Sequence, residues 1–315
     1  MKKIDLHCHT TISDGTSSPV QLIQEALERE IWFLCITDHD ATSDTLLFAL
    51  NQAWIKSVPS VEISAQNSHD EGKSLHLTYY SQASWQQIET ITNHTRSTKK
   101  QLILLQLQHL QQLWFFVDIE EFYEQLTSTG RQEGGISKYD IARYIASKGQ
   151  NLMLLEVIWC TVSEDLHTQF YNLCLKRKWT LYDTYAVEVD EYEPEVETLW
   201  AIATSRNAIL SIAHPNFTFS REGIAWFLEI FPLYYSLWVN AVEVNTRATK
   251  KWVEAILLLK SLYPNIQLTF GSDCHRVGLP DEKHGDLGFF NPHIPEAIVR
   301  WEFEKFCEKL GVPSK

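Results

Sequence analysis

No apolar run in the 315 residues approaches the roughly 20 needed to span a bilayer, so no membrane partner is expected. The opening residues Met1-Lys2-Lys3 lead directly into polar Asp5, His7 and His9, which does not resemble a signal peptide. The six cysteines (8, 35, 160, 174, 274 and 307) form no C-x-x-C pair, and they read as free thiols of a reducing, cytoplasmic compartment. A basic surplus is missing too. With a formal charge of −13, the chain lacks the cationic face that grips long duplex nucleic acid, although a small anionic substrate stays open because bound metals invert a field locally. No 20–50-residue repeat is present.

What is there suffices for a full-sized core: 44% of residues are hydrophobic, and 12% are aromatic, including 11 Trp, which argues against disorder. Short apolar strands alternate with helical stretches, the pattern of parallel α/β architecture. Strands are predicted at 4–9, 33–38, 60–64, 74–80, 208–213, 241–245 and 266–272. Ser18 can cap the first helix, Pro19 suits its first turn, and Leu22, Ile23, Ala26 and Leu27 form its apolar stripe. Further helices are predicted at 42–51, 195–205, 249–262 and 295–310. The alternation breaks between about 86 and 204. There 86–126 reads as one long Gln- and Leu-rich helix, with more helix at 139–148 and 163–178, so the block is expected to be a helical insertion over the mouth of the fold.

The chemistry begins in the first strand. Ile4-Asp5-Leu6-His7-Cys8-His9 places Asp5, His7 and His9 on one face, and two imidazoles two residues apart can share an ion. Alone, H-x-H is equally a pair of polar residues at a strand edge. It is followed by Ser13-Asp14-Gly15, by Thr37-Asp38-His39-Asp40 after the second strand, and by Val61-Glu62-Ile63-Ser64. Then come Leu75-His76-Leu77, Ile212-Ala213-His214-Pro215 and Gly271-Ser272-Asp273-Cys274-His275. Each cluster lies on a predicted strand, at its C-terminal end or in the loop after it, and barrel enzymes assemble their sites at that face. Cys8 and Cys274 sit between these residues, but alternation turns them toward the core. Asp38 is expected to orient His39, Asp40 to face solvent, and His69, His94, His109, His167, His284 and His293 to occupy surface or loop positions.

The set H-C-H-T-x-x-S-D-G, I-T-D-H-D, V-E-I-S, A-H-P and G-S-D-C-H resembles the polymerase and histidinol phosphatase (PHP) superfamily. Within it, the chain looks like the stand-alone phosphoesterases that include nucleoside-monophosphate phosphatases and small-RNA exonucleases. The likeness covers nearly the whole chain, including His-Gly-Asp-Leu-Gly at 284–288. It implies an α/β fold, a distorted seven-stranded (β/α)7 TIM-like barrel built from 1–85 and 205–315, with 86–204 inserted over the active-site mouth. It also implies two or three divalent ions (Mn²⁺, Fe²⁺ or Zn²⁺) in a trinuclear centre. His7, His9, Glu62 and Asp273 would hold the first; Glu62 would bridge to a second with His76 and His214; Asp14, His39 and His275 would hold a third. Imidazole with carboxylate suits those metals and disfavours Mg²⁺ alone.

The implied reaction is hydrolysis of a phosphomonoester, of a nucleotide or a short oligonucleotide end, by a metal-bridging hydroxide. No side-chain nucleophile is called for, and no residue stands out as general acid. Three divalent ions bring about +6, and three carboxylates with one hydroxide leave roughly +2, which a phosphomonoester dianion neutralises. Arg276, Arg247 and Lys138 are the candidate phosphate contacts. Relatives carry G-R-P-H-I-A where this chain has Ile136-Ser137-Lys138-Tyr139-Asp140-Ile141-Ala142. Lys138 thus stands for an Arg fork and Asp140 for a His, a change that bears on substrate and leaves the metal set intact. Two alternatives remain: an amidohydrolase-type metal enzyme, which also begins with H-x-H, and a non-catalytic, metal-stabilised scaffold. Oligomeric state is not legible.

Overall fold

A computed structural model describes residues 3–42, 44–66, 74–83, 85–161, 163, 165–176, 180–189, 191–237 and 239–314. These contain seven strands: β1 (Lys3–Cys8), β2 (Ile31–Ile36), β3 (Ser60–Gln66), β4 (Ser74–Tyr80), β5 (Ile209–Ile212), β6 (Ala241–Asn245) and β7 (Gln267–Gly271). Every predicted strand is present. The helices are α1 (Pro19–Glu28), α2 (Asp44–Gln52), α3 (Gln86–Gln112), α4 (Ile119–Thr127), α5 (Lys138–Ser147), α6 (Leu152–Val157), α7 (Leu166–Phe170), α8 (Tyr182–Tyr185), α9 (Val196–Ser205), α10 (Pro215–Thr218), α11 (Gly223–Ser236), α12 (Lys250–Leu262) and α13 (Glu296–Leu310). None of the described helices is long and apolar enough to cross a membrane.

The α1 start follows from its sequence. The Ser18 side chain accepts from the Gln21 backbone N–H, and the Gln21 side chain closes the capping box behind Pro19. Leu22, Ile23 and Ala26 are buried, while Leu27 is exposed, so the stripe is one residue narrower than its pattern suggested. The predicted helix over 86–126 is two. The chain turns out of α3 at Trp114, whose φ is +70°, and Asp118 caps α4 by accepting from Glu121 N–H.

The described strands fall into two sheets, β1-β2 and β3-β4-β5-β6-β7. An all-parallel seven-stranded arrangement is not what the hydrogen bonds show: β4 runs antiparallel to both β3 and β5, whereas β1-β2, β5-β6 and β6-β7 are parallel. The reason is local. Strands β3 and β4 are joined by residues 67–73, too short a connection for a helical crossover, so they pair as a hairpin with Ser64 opposite His76. His69 belongs to that connection and lies outside the described residues. Single parallel bridges join Cys8 to Cys274 and His39 to Glu62.

Two compact units result, Met1–Asn93 with Glu193–Lys315, and His94–Tyr192. Helix α9 belongs to the first unit, where it packs on β5. One apolar layer in this unit gathers Cys8, Leu22, Ala26, Leu34, Ile36, Leu50 and Cys274 between β1-β2 and the helices that follow them. Another is aromatic: Phe33 meets Phe303 and Phe306 edge-on, and Tyr80 meets Phe306 while donating to the Leu6 carbonyl at 2.8 Å. Each such fully buried ring contributes about 1.5–3 kcal/mol, which fixes the strand ends against one another. The second unit has its own core, including Leu107, Phe115, Phe122, Ile141, Ile145, Leu155 and Phe170.

Candidate metal centre

Strand β1 delivers His7 and His9 into the interior, both with side chains at 0% exposure. His7 Nδ1 lies 2.6 Å from Glu243 Oε2, and Asn245 Nδ2 donates to the other Glu243 oxygen at 3.1 Å. This carboxylate holds the Nδ1 proton, so the His7 Nε2 lone pair faces inward. Nε2 sits 3.1 Å from His9 Nε2, 3.2 Å from Glu62 Oε2 and 3.5 Å from Asp273 Oδ1. His9 Nε2 is 3.1 Å from the same Glu62 oxygen and 3.2 Å from Asp273 Oδ1. Gly271 makes the approach possible: a Cβ there would lie 2.3 Å from His7 Cβ.

Glu62, fully buried on β3, is the hub. Its Oε1 lies 2.9 Å from His214 Nε2 and 3.1 Å from His76 Nδ1, and its Oε2 lies 3.3 Å from His39 Nδ1. Toward solvent, Asp14 (37% exposed) is 3.2 Å from His275 Nε2 and 3.7 Å from His39 Nε2. The structure thus brings all nine sequence-predicted residues together. Because β4 is reversed, His76 reaches this face from the first half of its strand and not from a C-terminal end. His214 (φ +29°) and Asp273 (φ +55°) occupy the left-handed region, a strain that re-aims both side chains where their strands stop.

The electrostatics are those of donors crowded without water. Burial alone would lower the His7 imidazole, but Glu243, Glu62 and Asp273 hold it well above the usual range. Burial opposes the His9 proton too, yet bonds to Asp273 and Glu62 push that ring up to about 10. Burial dominates at His39 and takes it down to about 3. For Glu62, burial is outweighed by His39, His7, His76 and the His214 bond, which keep it well below the carboxylate range; Asp14 and Asp273 are also lowered.

These residues fit divalent ions. Single donor atoms of His7, His9, Glu62 and Asp273 lie within 4.8 Å of one another, as do those of His9, Asp14, His39 and His275, and those of His39, Glu62 and His76. His39 Nδ1 and His76 Nδ1 are buried and make no hydrogen bond, although each lies close to a Glu62 oxygen. Convergent lone pairs of this kind are costly without a cation.

Several neighbours differ from expectation. Asp38 does not orient His39; its oxygens accept from Thr10 N (2.7 Å), Thr10 Oγ1 (2.6 Å) and Ser13 Oγ (2.6 Å), pinning the loop that presents Asp14. Asp40 is buried, not solvent-facing. Asp5 accepts from Ser272 N, Ser272 Oγ and Gly288 N, and burial raises it to about 6 despite them. Cys8 and Cys274 are packed in the core. Sequence reasoning missed Glu243, although an acid inside the apolar strand Ala241–Asn245 was a signal; His284 lies in a loop as expected, with its ring 4.1 Å from that of His275.

Of the candidate phosphate contacts, Arg276 is exposed, and Arg247 donates to the carbonyls of His284 and Asp281. Lys138 opens α5 in the second unit, where its ammonium sits 5.4 Å from the centre of the Tyr182 ring; Asp140 there accepts from Arg131 at 2.9 Å through both oxygens.

A buried knot of imidazoles and carboxylates at strand ends of a mixed α/β fold defines a class of metal-binding domain. Residues 5–146 match the family model for the PHP domain. The chain is 37% identical over 78 residues to a 5'-3' exoribonuclease of Haemophilus influenzae, covering 24% of this chain and 27% of that protein. It is 25% identical over 183 residues to the 5'-3' exoribonuclease Rnm of Escherichia coli, covering 51% and 59%. The chain therefore spans less than two thirds of the length of these relatives. Among solved structures, an amidohydrolase from Chromobacterium violaceum superposes with a TM-score of 0.70 at 18% identity over 96% of both chains. A protein from Bifidobacterium adolescentis, described as a metal-dependent phosphoesterase, does so at 0.68 and 18% over 97% and 96%. At that identity the likeness is one of fold.

Proposed function

We propose that the chain is a metal-dependent phosphoesterase acting on phosphomonoesters, of nucleotides or of short oligonucleotide ends, in the cytoplasm. The observation that carries this reading is Glu62: one buried carboxylate with imidazoles of His7, His9, His39, His76 and His214 within 3.3 Å. Such a hub would serve as a shared ligand for neighbouring cations. His7, His9, Glu62 and Asp273 would hold one ion, Glu62 with His76 and His214 a second, and Asp14, His39 and His275 a third, with Mn²⁺, Fe²⁺ or Zn²⁺ suiting the donors. Divalent ions there supply Lewis-acid activation of water and offset charge on phosphoryl oxygens.

The chain's own residues do the rest. Glu243 keeps the His7 proton on Nδ1, Asp38 fixes the turn bearing Asp14, and the buried walls exclude bulk water, which strengthens every charge interaction inside. Asp14 (37% exposed) and His76 (33% exposed) mark the open side, where a phosphate would enter. The names of the curated relatives favour an oligonucleotide end among the possible esters. We further read the two sheets, joined by the bridges at Cys8–Cys274 and His39–Glu62, as a distorted PHP-type barrel.

The test is release of inorganic phosphate from nucleoside monophosphates, 5'-phosphorylated short oligonucleotides and p-nitrophenyl phosphate by protein loaded with Mn²⁺, with lactone and amide substrates alongside. Turnover confined to phosphate esters and lost in His9→Ala and Asp273→Ala is expected. Metal-loaded protein that hydrolyses none of these esters would overturn the proposal.

A further inference from the structure

The loop after β7 closes on itself with unusual completeness. Asp281 Oδ1 accepts the backbone N–H groups of Lys283 and His284, both at 2.8 Å, and the Asp281 N–H donates to the His284 carbonyl at 3.1 Å. Arg247 then donates to the carbonyls of both Asp281 and His284. The next residue anchors this loop to the metal centre: Gly285 N–H donates to Ser272 O at 2.8 Å. Only glycine permits that contact, since a Cβ would sit 2.8 Å from the Ser272 carbonyl and 3.1 Å from Thr246.

The effect of these constraints is to lay the His284 ring 4.1 Å from that of His275. Asp281 Oδ2 lies 2.9 Å from His284 Nδ1, so the carboxylate holds the proton there and leaves Nε2 with a free lone pair. A carboxylate behind an imidazole is how ligating histidines are commonly fixed, and Glu243 against His7 Nδ1 makes the same kind of contact. Donor atoms of His284, His275 and Asp273 fall within 4.8 Å of one another. Half-buried beside buried ligands, His284 is too confined for an ordinary surface histidine.

We propose that His284 is a tenth metal-ligating residue, joining His275 at the outer ion assigned to Asp14, His39 and His275, with Asp273 beside it, and that Asp281, Arg247 and Gly285 hold it there. This rests on reading the pocket as a divalent-metal centre. The added neutral donor completes the outer side of the cluster without adding negative charge, and so preserves its attraction for a phosphate dianion.

Titration of the metal-free full chain with Mn²⁺, followed by calorimetry and by metal content after desalting, separates the possibilities. His284→Phe keeps a ring against His275 but has no donor; Asp281→Asn keeps His284 but loosens its orientation. Both are expected to weaken the most loosely held Mn²⁺ about 10–100-fold and to leave the tighter uptake in place, with His284→Asp recovering part of the loss. If wild type binds Mn²⁺ and both His284→Phe and Asp281→Asn bind it with unchanged number and affinity, the assignment of His284 is overturned and the metal centre stands. A wild-type chain that takes up no Mn²⁺, Zn²⁺ or Fe²⁺ overturns both.

Discussion

Glu243 Oε2 stands 2.6 Å from His7 Nδ1, with both side chains wholly shielded from solvent. The pair fixes which nitrogen of His7 is free, and it spans two strands, β6 and β1, that belong to different sheets. In Glu243→Gln the amide fits the same space but no longer carries the charge that stabilises the Nδ1 proton. Affinity for the first divalent ion is expected to fall about 10–100-fold, measured by calorimetric titration with Mn²⁺. Unchanged affinity would separate Glu243 from the centre.

Removing metal is expected to destabilise the protein. An ion present at 100 times its dissociation constant adds about 2.7 kcal/mol, so thermal melting in EDTA falls well below melting in Mn²⁺. Coincident melting curves would show that no ion binds the folded chain preferentially.

The metal-free chain is expected to have a distinctive pH dependence. His9 has its proton held up to about 10 against an ordinary value of 6.5, so its pairing with Asp273 and Glu62 stabilises the fold fully below pH 6.5. That contribution drains away as pH rises from 6.5 toward 10. Loading an ion displaces the proton instead, so uptake at pH 8 releases protons, detected as a buffer-dependent calorimetric heat. Heats identical in buffers of different ionisation enthalpy would contradict it.

Gly271→Ala places a methyl 2.3 Å from His7 Cβ, where backbone must shift. A loss of about 1–3 kcal/mol in denaturant unfolding is expected, together with weaker Mn²⁺ uptake. An Ala variant equal to wild type in both would mean that β7 has slack the structure does not suggest.

Asp38→Ala strips three donors, Thr10 N, Thr10 Oγ1 and Ser13 Oγ, of their acceptor. Stability is expected to drop by about 1–3 kcal/mol, and the ion nearest Asp14 to bind more weakly while inner uptake persists. Metal content after desalting reads the second effect.

Strand positions were legible because continuous apolar runs such as Ile31–Ile36 belong to strands buried on both faces. The gathering of the site residues was legible too, since polar metal-ligand types at strand ends are rare without a shared purpose. Strand direction was not. The short 67–73 connection excludes a crossover, but the alternation of strands and helices elsewhere pointed to parallel strands throughout, and His76 reads identically in either direction. Glu243 and Asp38 escaped correct assignment for a related reason. Both act on residues far away in sequence, His7 and Thr10, and only the pairing of strands shows which neighbour a buried carboxylate meets. The loop position of His284 was legible, but not its approach to His275: nothing local announces that Gly285 docks on Ser272.

The exposures across the cluster differ, and that difference sets a timetable. His7, His9 and Glu62 have side chains at 0% and Asp273 at 5%, whereas His76 stands at 33% and Asp14 at 37%. An ion held by the first four would sit among side chains shielded from solvent, so it is expected to exchange more slowly. Ions leaning on the more exposed His76 or Asp14 are expected to exchange faster. Purified protein is therefore expected to keep an inner metal chosen during folding while its outer complement follows whatever the buffer supplies.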